Sequence, residues 1–153
     1  MISRDRRLVK CKWVFKIKRS GVFRARLVAC GYRQIPGIDF TDNYSPVVNN
    51  VPVQFRLLLL IWVYFKLTAK IVDVETAFLY GKLEEEIFME YLPDLKAGSK
   101  DKVLLLNQCI YGLDQAARQY YEHIVDILKE IGFKGGYVDP CLLLKNNKLG
   151  ICF

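Results

Sequence analysis

The segment Ile71-Val72-Asp73-Val74-Glu75-Thr76-Ala77-Phe78-Leu79-Tyr80-Gly81 carries the residues best spaced for chemistry. It ends an apolar stretch with an aspartate and sets a phenyl ring five positions later. A strand that delivers a carboxylate to its C-terminal end, followed at once by a turn bearing a large ring, presents one divalent-metal ligand and one wall of a nucleotide pocket, the layout of many phosphoryl-transfer sites. Such chemistry needs at least a second carboxylate. Without one, Asp73 reads first as a cap on the turn after its strand, and Phe78 as an ordinary core aromatic.

The elements that must position these residues follow from periodicity. Lys12 to Lys18 alternates basic and apolar residues, and after Arg19-Ser20-Gly21 the run Val22 to Cys30 does the same with Arg24 and Arg26, so a hairpin with one basic and one apolar face is predicted. Residues 31–50 are rich in Gly, Pro, Asn and Asp and form a loop with a turn at Pro36-Gly37. Pro52 to Lys66 reads as a buried apolar helix, with Pro52 accommodated in its first turn, and Leu67 to Asp73 as the strand before the Phe78 turn. Ile87 to Glu90 and Val103 to Leu106 are short strands separated by a loop over Pro93 to Lys102. Ala116 to Ile131 has helical spacing at 117, 120, 121, 124, 125, 128 and 131, and Gly132 stops it. Cys141 to Leu144, a turn at Asn146-Asn147 and Leu149 to Phe153 make a closing hairpin, whose last strand is still apolar where the sequence stops, as in a strand cut short.

At 153 residues and 52% hydrophobic the chain is about one domain with enough apolar content for a core. Its net charge of +7 is concentrated: residues 1–40 carry a net +9 and the remainder a net −2. That handle favours a polyanion, nucleic acid before membrane. Leu57 to Phe65 offers nine apolar residues, half of the ~20 that span a bilayer, and Met1 to Arg7 has no apolar run behind its charges, so no membrane contact is expected and an intracellular setting is. Five cysteines (Cys11, Cys30, Cys109, Cys141, Cys152) without a C-x-x-C pair, beside a single histidine, read as buried free thiols.

Seven stretches in order resemble the reverse transcriptase domain of copia-type retrotransposon polyproteins. They are Lys12 to Lys18, Ala25 to Ala29 with Gly31, Tyr44 to Val48, Asp73 to Leu79, Gly81 to Glu90, Tyr111 to Ala116 and Asp139 to Leu142. The resemblance implies an α+β right-hand polymerase, fingers and a partial palm, with an antiparallel sheet packed against helices. Residues 1–11 would be an N-terminal extension and 12–153 the reverse transcriptase segment.

It further implies two magnesium ions held by three acidic residues, of which Asp73 matches the first. The other two form a Tyr-x-Asp-Asp turn expected just after a strand like Leu149 to Phe153, and the 153 residues contain no adjacent aspartate pair. The implied function is RNA-directed DNA synthesis by the complete parent, with template–primer and deoxynucleoside triphosphates as partners. A non-catalytic nucleic-acid-binding remnant and a pseudogene product are the alternatives.

Phe78 matches the steric gate that excludes a 2′-hydroxyl. Lys16, Arg24 and Arg26, with Lys18, lie where the fingers contact triphosphate and template phosphates, against the alternative of a solvated charged face. Gln115 precedes the long helix, where its amide would support template or nucleotide or be an exposed first-turn residue. The family's usual basic residue and proline around this glutamine are replaced by Asp114 and Ala117. Glu84-Glu85-Glu86 is expected to be solvated and His123 half-buried packing.

Overall fold

The computed structural model describes residues 8–46, 51–92, 102–136, 139–148 and 150–152, with side chains from Arg56 onward in the first helix. The chain is α+β, with short antiparallel sheets and two α-helices among these residues. It divides into two compact units, residues 1–45 with 76–125 and residues 46–75 with 126–153.

The first unit opens with the expected hairpin, β1 (Cys11–Ile17) against β2 (Phe23–Ala29). Lys18 N–H donates to the Val22 carbonyl and Gly21 N–H to the Lys18 carbonyl, both at 2.9 Å. Gly21, at φ +79°, supplies the left-handed residue that a bulged three-residue loop needs. The register sets Val14 opposite Arg26 and Lys16 opposite Arg24, so Lys12, Val14, Lys16, Arg24, Arg26 and Val28 share one face. Trp13, Phe15, Ile17, Phe23, Ala25 and Leu27 share the other.

Beyond the hairpin, Pro36 bridges to Phe40 and Gly37, at φ +80°, turns the chain where the Pro-Gly pair predicts it. β3 (Lys82–Glu90) pairs with β4 (Val103–Gln108), both longer than the apolar runs suggested. The register slips between Lys82 and Ile87, so the acidic run lies on a bulge. Val9 bridges to Met89 and is itself buried. The core gathers Val9, Ala29, Ile87, Cys109, Leu113 and Ala116. Burial pushes the Cys109 thiol up to about 12, which makes it an inert packing residue. Cys30 is buried too, but Cys152 is exposed, against the expectation of buried thiols.

Two glycines let the end of β2 cross the turn at 110–114. Ala29 N–H donates to the Tyr111 carbonyl at 2.7 Å and Gly31 N–H to the Gly112 carbonyl at 3.0 Å. A methyl group at Gly31 would collide with the Gly112 carbonyl, and one at Gly112 with the Ala29 carbonyl and Val28 Cγ1. Gly112 also sits at φ +90°. Because relief would require backbone rather than side-chain movement, Gly112→Ala is expected to cost about 2–4 kcal/mol. Gly135→Ala, where the added methyl meets nothing within 4 Å, should stay within about 0.5 kcal/mol. Urea melts of the two variants check the contrast, and equal midpoints would show that the crossing is looser than its hydrogen bonds imply.

In the second unit α1 (Val51–Tyr64) forms where predicted. It ends on Lys66 at φ +52°, with Leu67 N–H bonded to the Trp62 carbonyl at 3.0 Å and Lys66 N–H to Val63 at 3.3 Å. Its burial does not match the expectation. Leu60, Val63 and Tyr64 are 67%, 68% and 80% exposed, and only Leu58 and Ile61 are half-buried in its described part. A helix that is apolar over most of its faces needs cover on most of them.

The strand expected over Leu67 to Asp73 is also absent. Residues 67–74 have no ladder partner among the described residues, and Ile71 is fully exposed. The β-preference of Ile and Val is expressed only when a neighbouring strand takes up the backbone N–H and C=O groups. α2 (Ala116–Glu130) closes as predicted at Gly132, φ +98°, with Phe133 N–H on the Leu128 carbonyl at 2.9 Å. β5 (Lys134–Gly135), β6 (Leu143–Asn147) and β7 (Gly150–Cys152) form a three-stranded sheet in that order. Asn147 pairs with Gly150, so the closing hairpin reverses just after the asparagine pair. Residues 1–7 of the expected N-terminal extension, most of the loop over 93–102, and Phe153 fall outside the described residues.

Candidate functional site

The Phe78 turn is built on a strained residue. Thr76 occupies the left-handed region at φ +54°, which costs a β-branched side chain about 1–2 kcal/mol, and leads into a 3₁₀ turn over Ala77–Tyr80. Leu79 N–H donates to the Thr76 carbonyl at 2.8 Å and Gly81 N–H to Phe78 at 3.2 Å. The turn abuts α2, since a methyl at Gly81 would stand 3.0 Å from Gln119 Cβ. The half-buried Phe78 ring is thereby held edge-on against two tyrosines, Tyr111 at 5.4 Å and 75° and Tyr120 at 6.3 Å and 88° between ring centroids and planes.

Arg26 reaches the same cluster from β2, its Cζ lying 4.9 Å from the Tyr111 ring centroid. Its Nε is buried without a hydrogen-bond partner. On the basic face Lys16 and Arg24 stand directly across the strands from one another, an arrangement of like charges that costs stability unless an anion joins them. Among the described residues, none of Lys12, Lys16, Lys18, Arg24 and Arg26 forms an ion pair. Lys10 and Arg118 do, with Glu90 and with Asp42 and Glu122. Among the described residues the hairpin's positive charge is therefore left without a carboxylate partner.

Gln115 is neither exposed nor free. It is fully buried, its Oε1 accepts from Gln34 Nε2 at 3.1 Å, and its Nε2 lies 3.3 Å from the Asp39 carbonyl and 3.5 Å from Glu85 Oε2. Gln34 Oε1 in turn accepts from Asp114 N–H at 2.9 Å. Glu85 therefore departs from the expectation of a solvated acidic run. Strand alternation leaves Glu84 and Glu86 exposed and turns Glu85 inward, to Gln115 and the Thr41 N–H. His123 is half-buried and stacked on Tyr80 at 6.2 Å and 4°, as packing predicts.

Asp42 braces the start of α2. The Tyr44 backbone N–H, and after it the Arg118 guanidinium, hold its carboxyl below the ordinary range. Ser45 Oγ donates to the Ala117 carbonyl at 3.3 Å.

Asp73 falls in the second unit and is exposed. Among the described residues no group of three or more His, Cys, Asp or Glu could hold a metal ion. These residues therefore do not by themselves fit a two-metal centre. No helix among the described residues is long and apolar enough to cross a membrane.

A family model described as reverse transcriptase (RNA-dependent DNA polymerase) matches residues 1–151. The chain belongs to that family. It is 41% identical over 150 residues to the retrovirus-related Pol polyprotein from transposon TNT 1-94 of Nicotiana tabacum, covering 94% of this chain and 11% of that protein. The corresponding polyprotein from transposon RE2 of Arabidopsis thaliana is 34% identical over 143 residues, covering 90% of this chain and 10% of its own length. The transposon Ty1-BL Gag-Pol polyprotein of Saccharomyces cerevisiae is 29% identical over 148 residues, covering 96% and 8%. The chain thus spans about a tenth of the length of these relatives, all from transposons, in keeping with the copia-type resemblance. No solved structure matches it.

Sequence reasoning gave no role to Tyr111, Tyr120, Gln34 or Glu85. Tyr111 stood inside a recognised motif, but its partners Phe78 and Arg26 are dozens of residues away, beyond any local periodicity.

Proposed function

We propose that this chain forms the fingers and part of the palm of a copia-type reverse transcriptase, and that it works inside a longer polymerase that supplies the remaining metal ligands. In this assignment Asp73 would be one of the carboxylates that hold two magnesium ions, with the others outside these residues, and the ions would supply Lewis-acid chemistry there. Lys16, Arg24 and Arg26 bind triphosphate and template phosphates. Phe78 lies beneath the sugar of the incoming deoxynucleotide. Gln115 fixes the wall of the pocket through Gln34 and Glu85. The observation that carries the proposal is the meeting of an unneutralised cation from the basic hairpin with the ring five residues after Asp73, both against Tyr111.

Binding to nucleic acid tests the hairpin directly. Affinity of the 153-residue chain for a primed template is expected to fall steeply with salt, and Arg24→Ala with Arg26→Ala should flatten the log–log slope by about two units if each contacts one phosphate. An unchanged slope would place that face in solvent and remove both residues from the assignment.

A further inference from the structure

The geometry points to Tyr111 as a positioning residue that sets the spacing between the Phe78 ring and the Arg26 guanidinium, and so between the sugar and the triphosphate of an incoming deoxynucleotide. The inference rests on the nucleotide-pocket assignment above.

Tyr111 is the ring common to both contacts. It meets Phe78 edge to face at 5.4 Å and carries the Arg26 guanidinium at 4.9 Å from its centroid. Its backbone is not free to drift. The Tyr111 carbonyl accepts from Ala29 N–H at 2.7 Å, three residues after Arg26 on the same strand, and the next carbonyl accepts from Gly31 N–H. Gly112, at φ +90° and too close to Ala29 for any side chain, makes that approach possible. Arg26, Tyr111 and Phe78 therefore form one mechanical unit spanning three chain segments.

The choice of a ring as the partner of Arg26 has a chemical consequence. A carboxylate in that place would orient the guanidinium but cancel its charge, whereas an aromatic face orients it through its quadrupole and leaves the full charge for an outside anion. Arg26 has no acidic partner among the described residues, and its Nε is buried without a hydrogen bond. A guanidinium held in this way is preorganised for phosphate oxygens, with its position referred to the same ring that supports the gate.

The test uses the longer polymerase proposed above, with steady-state kinetics for a deoxynucleotide and its ribonucleotide counterpart. Tyr111→Leu removes both ring contacts. It is expected to raise KM for the deoxynucleotide about tenfold and to lower discrimination against the ribonucleotide, whereas Tyr111→Phe, which keeps the ring, should hold both near wild type.

Because Tyr111→Leu can also unsettle the fold, a second series places increasingly fluorinated phenylalanines at position 111. These keep the shape while draining charge from the ring face, so KM should climb with fluorination at constant melting temperature. A KM flat across the fluorinated series, or a Tyr111→Leu enzyme slowed equally for both nucleotides, overturns the positioning role. If Phe78→Val leaves discrimination unchanged, the pocket assignment itself fails. If Phe78→Val changes discrimination and Tyr111→Leu does not, only the inference about Tyr111 fails.

Discussion

Given a primed RNA template, deoxynucleotides and either magnesium or manganese, the 153-residue chain alone is expected to extend no primer. Nucleotidyl transfer by two metals needs several anionic ligands within a few Å of each other, because one ion must make the primer hydroxyl a nucleophile while the other takes up charge on the leaving pyrophosphate. The sequence has no adjacent aspartate pair, and no cluster able to hold a metal occurs among the described residues. One exposed carboxylate at Asp73 competes poorly with water for magnesium, which gives up its hydration shell reluctantly. Labelled nucleotide should therefore be incorporated no faster than by the Asp73→Asn chain. Incorporation clearly above that control would mean that a second set of ligands exists in this chain, and the two-metal assignment would have to be rebuilt around it. Nucleic-acid binding should persist in the same samples, since neutralising phosphates requires a charged face and tolerates loose distances.

The parts of the fold legible in the sequence are those whose physics is local. The hairpin was readable because alternate residues from Lys12 to Lys18 and from Val22 to Cys30 switch character at the period of a strand, and the register keeps that alternation on two faces. α2 was readable because its apolar positions recur at helical spacing and Gly132 has a backbone conformation that few other residues adopt. α1 was legible as a helix and not in its surroundings: composition says that Leu60 and Val63 want cover, but not whether these residues supply it. Leu67 to Asp73 failed as a strand for the same reason, since a β-ladder belongs to two segments and only one was visible.

The site divides along the same line. Asp73, Phe78 and the basic residues could be singled out as candidates by type and motif. The Tyr111 contacts and the Gln34–Gln115–Glu85 hydrogen bonds depend on a chain crossing at Gly31 and Gly112, set by tertiary structure.

In the longer polymerase proposed above, Phe78→Val is expected to admit ribonucleotides about 100-fold better relative to deoxynucleotides, equivalent to ~2.7 kcal/mol of lost discrimination. The reasoning is steric. A ring beneath the sugar excludes a 2′-hydroxyl by occupying its space, so trimming the ring removes a clash with the wrong substrate and little binding to the right one. The ring is well suited to exclusion because it cannot swing aside: Tyr111 and Tyr120 hold it from two elements, and the left-handed Thr76 fixes the turn that carries it. The same contacts provide the competing expectation. If Phe78 serves only to pack between the tyrosines, valine leaves a cavity costing roughly 1–3 kcal/mol of stability, and use of both nucleotides falls together. Melting temperature measured beside the two kcat/KM values separates the cases. Stability must drop to some degree in either, because half-buried ring contacts are lost, so the deciding quantity is the ribonucleotide to deoxynucleotide ratio. A ratio unchanged from wild type would return Phe78 to the core and leave the pocket without its gate.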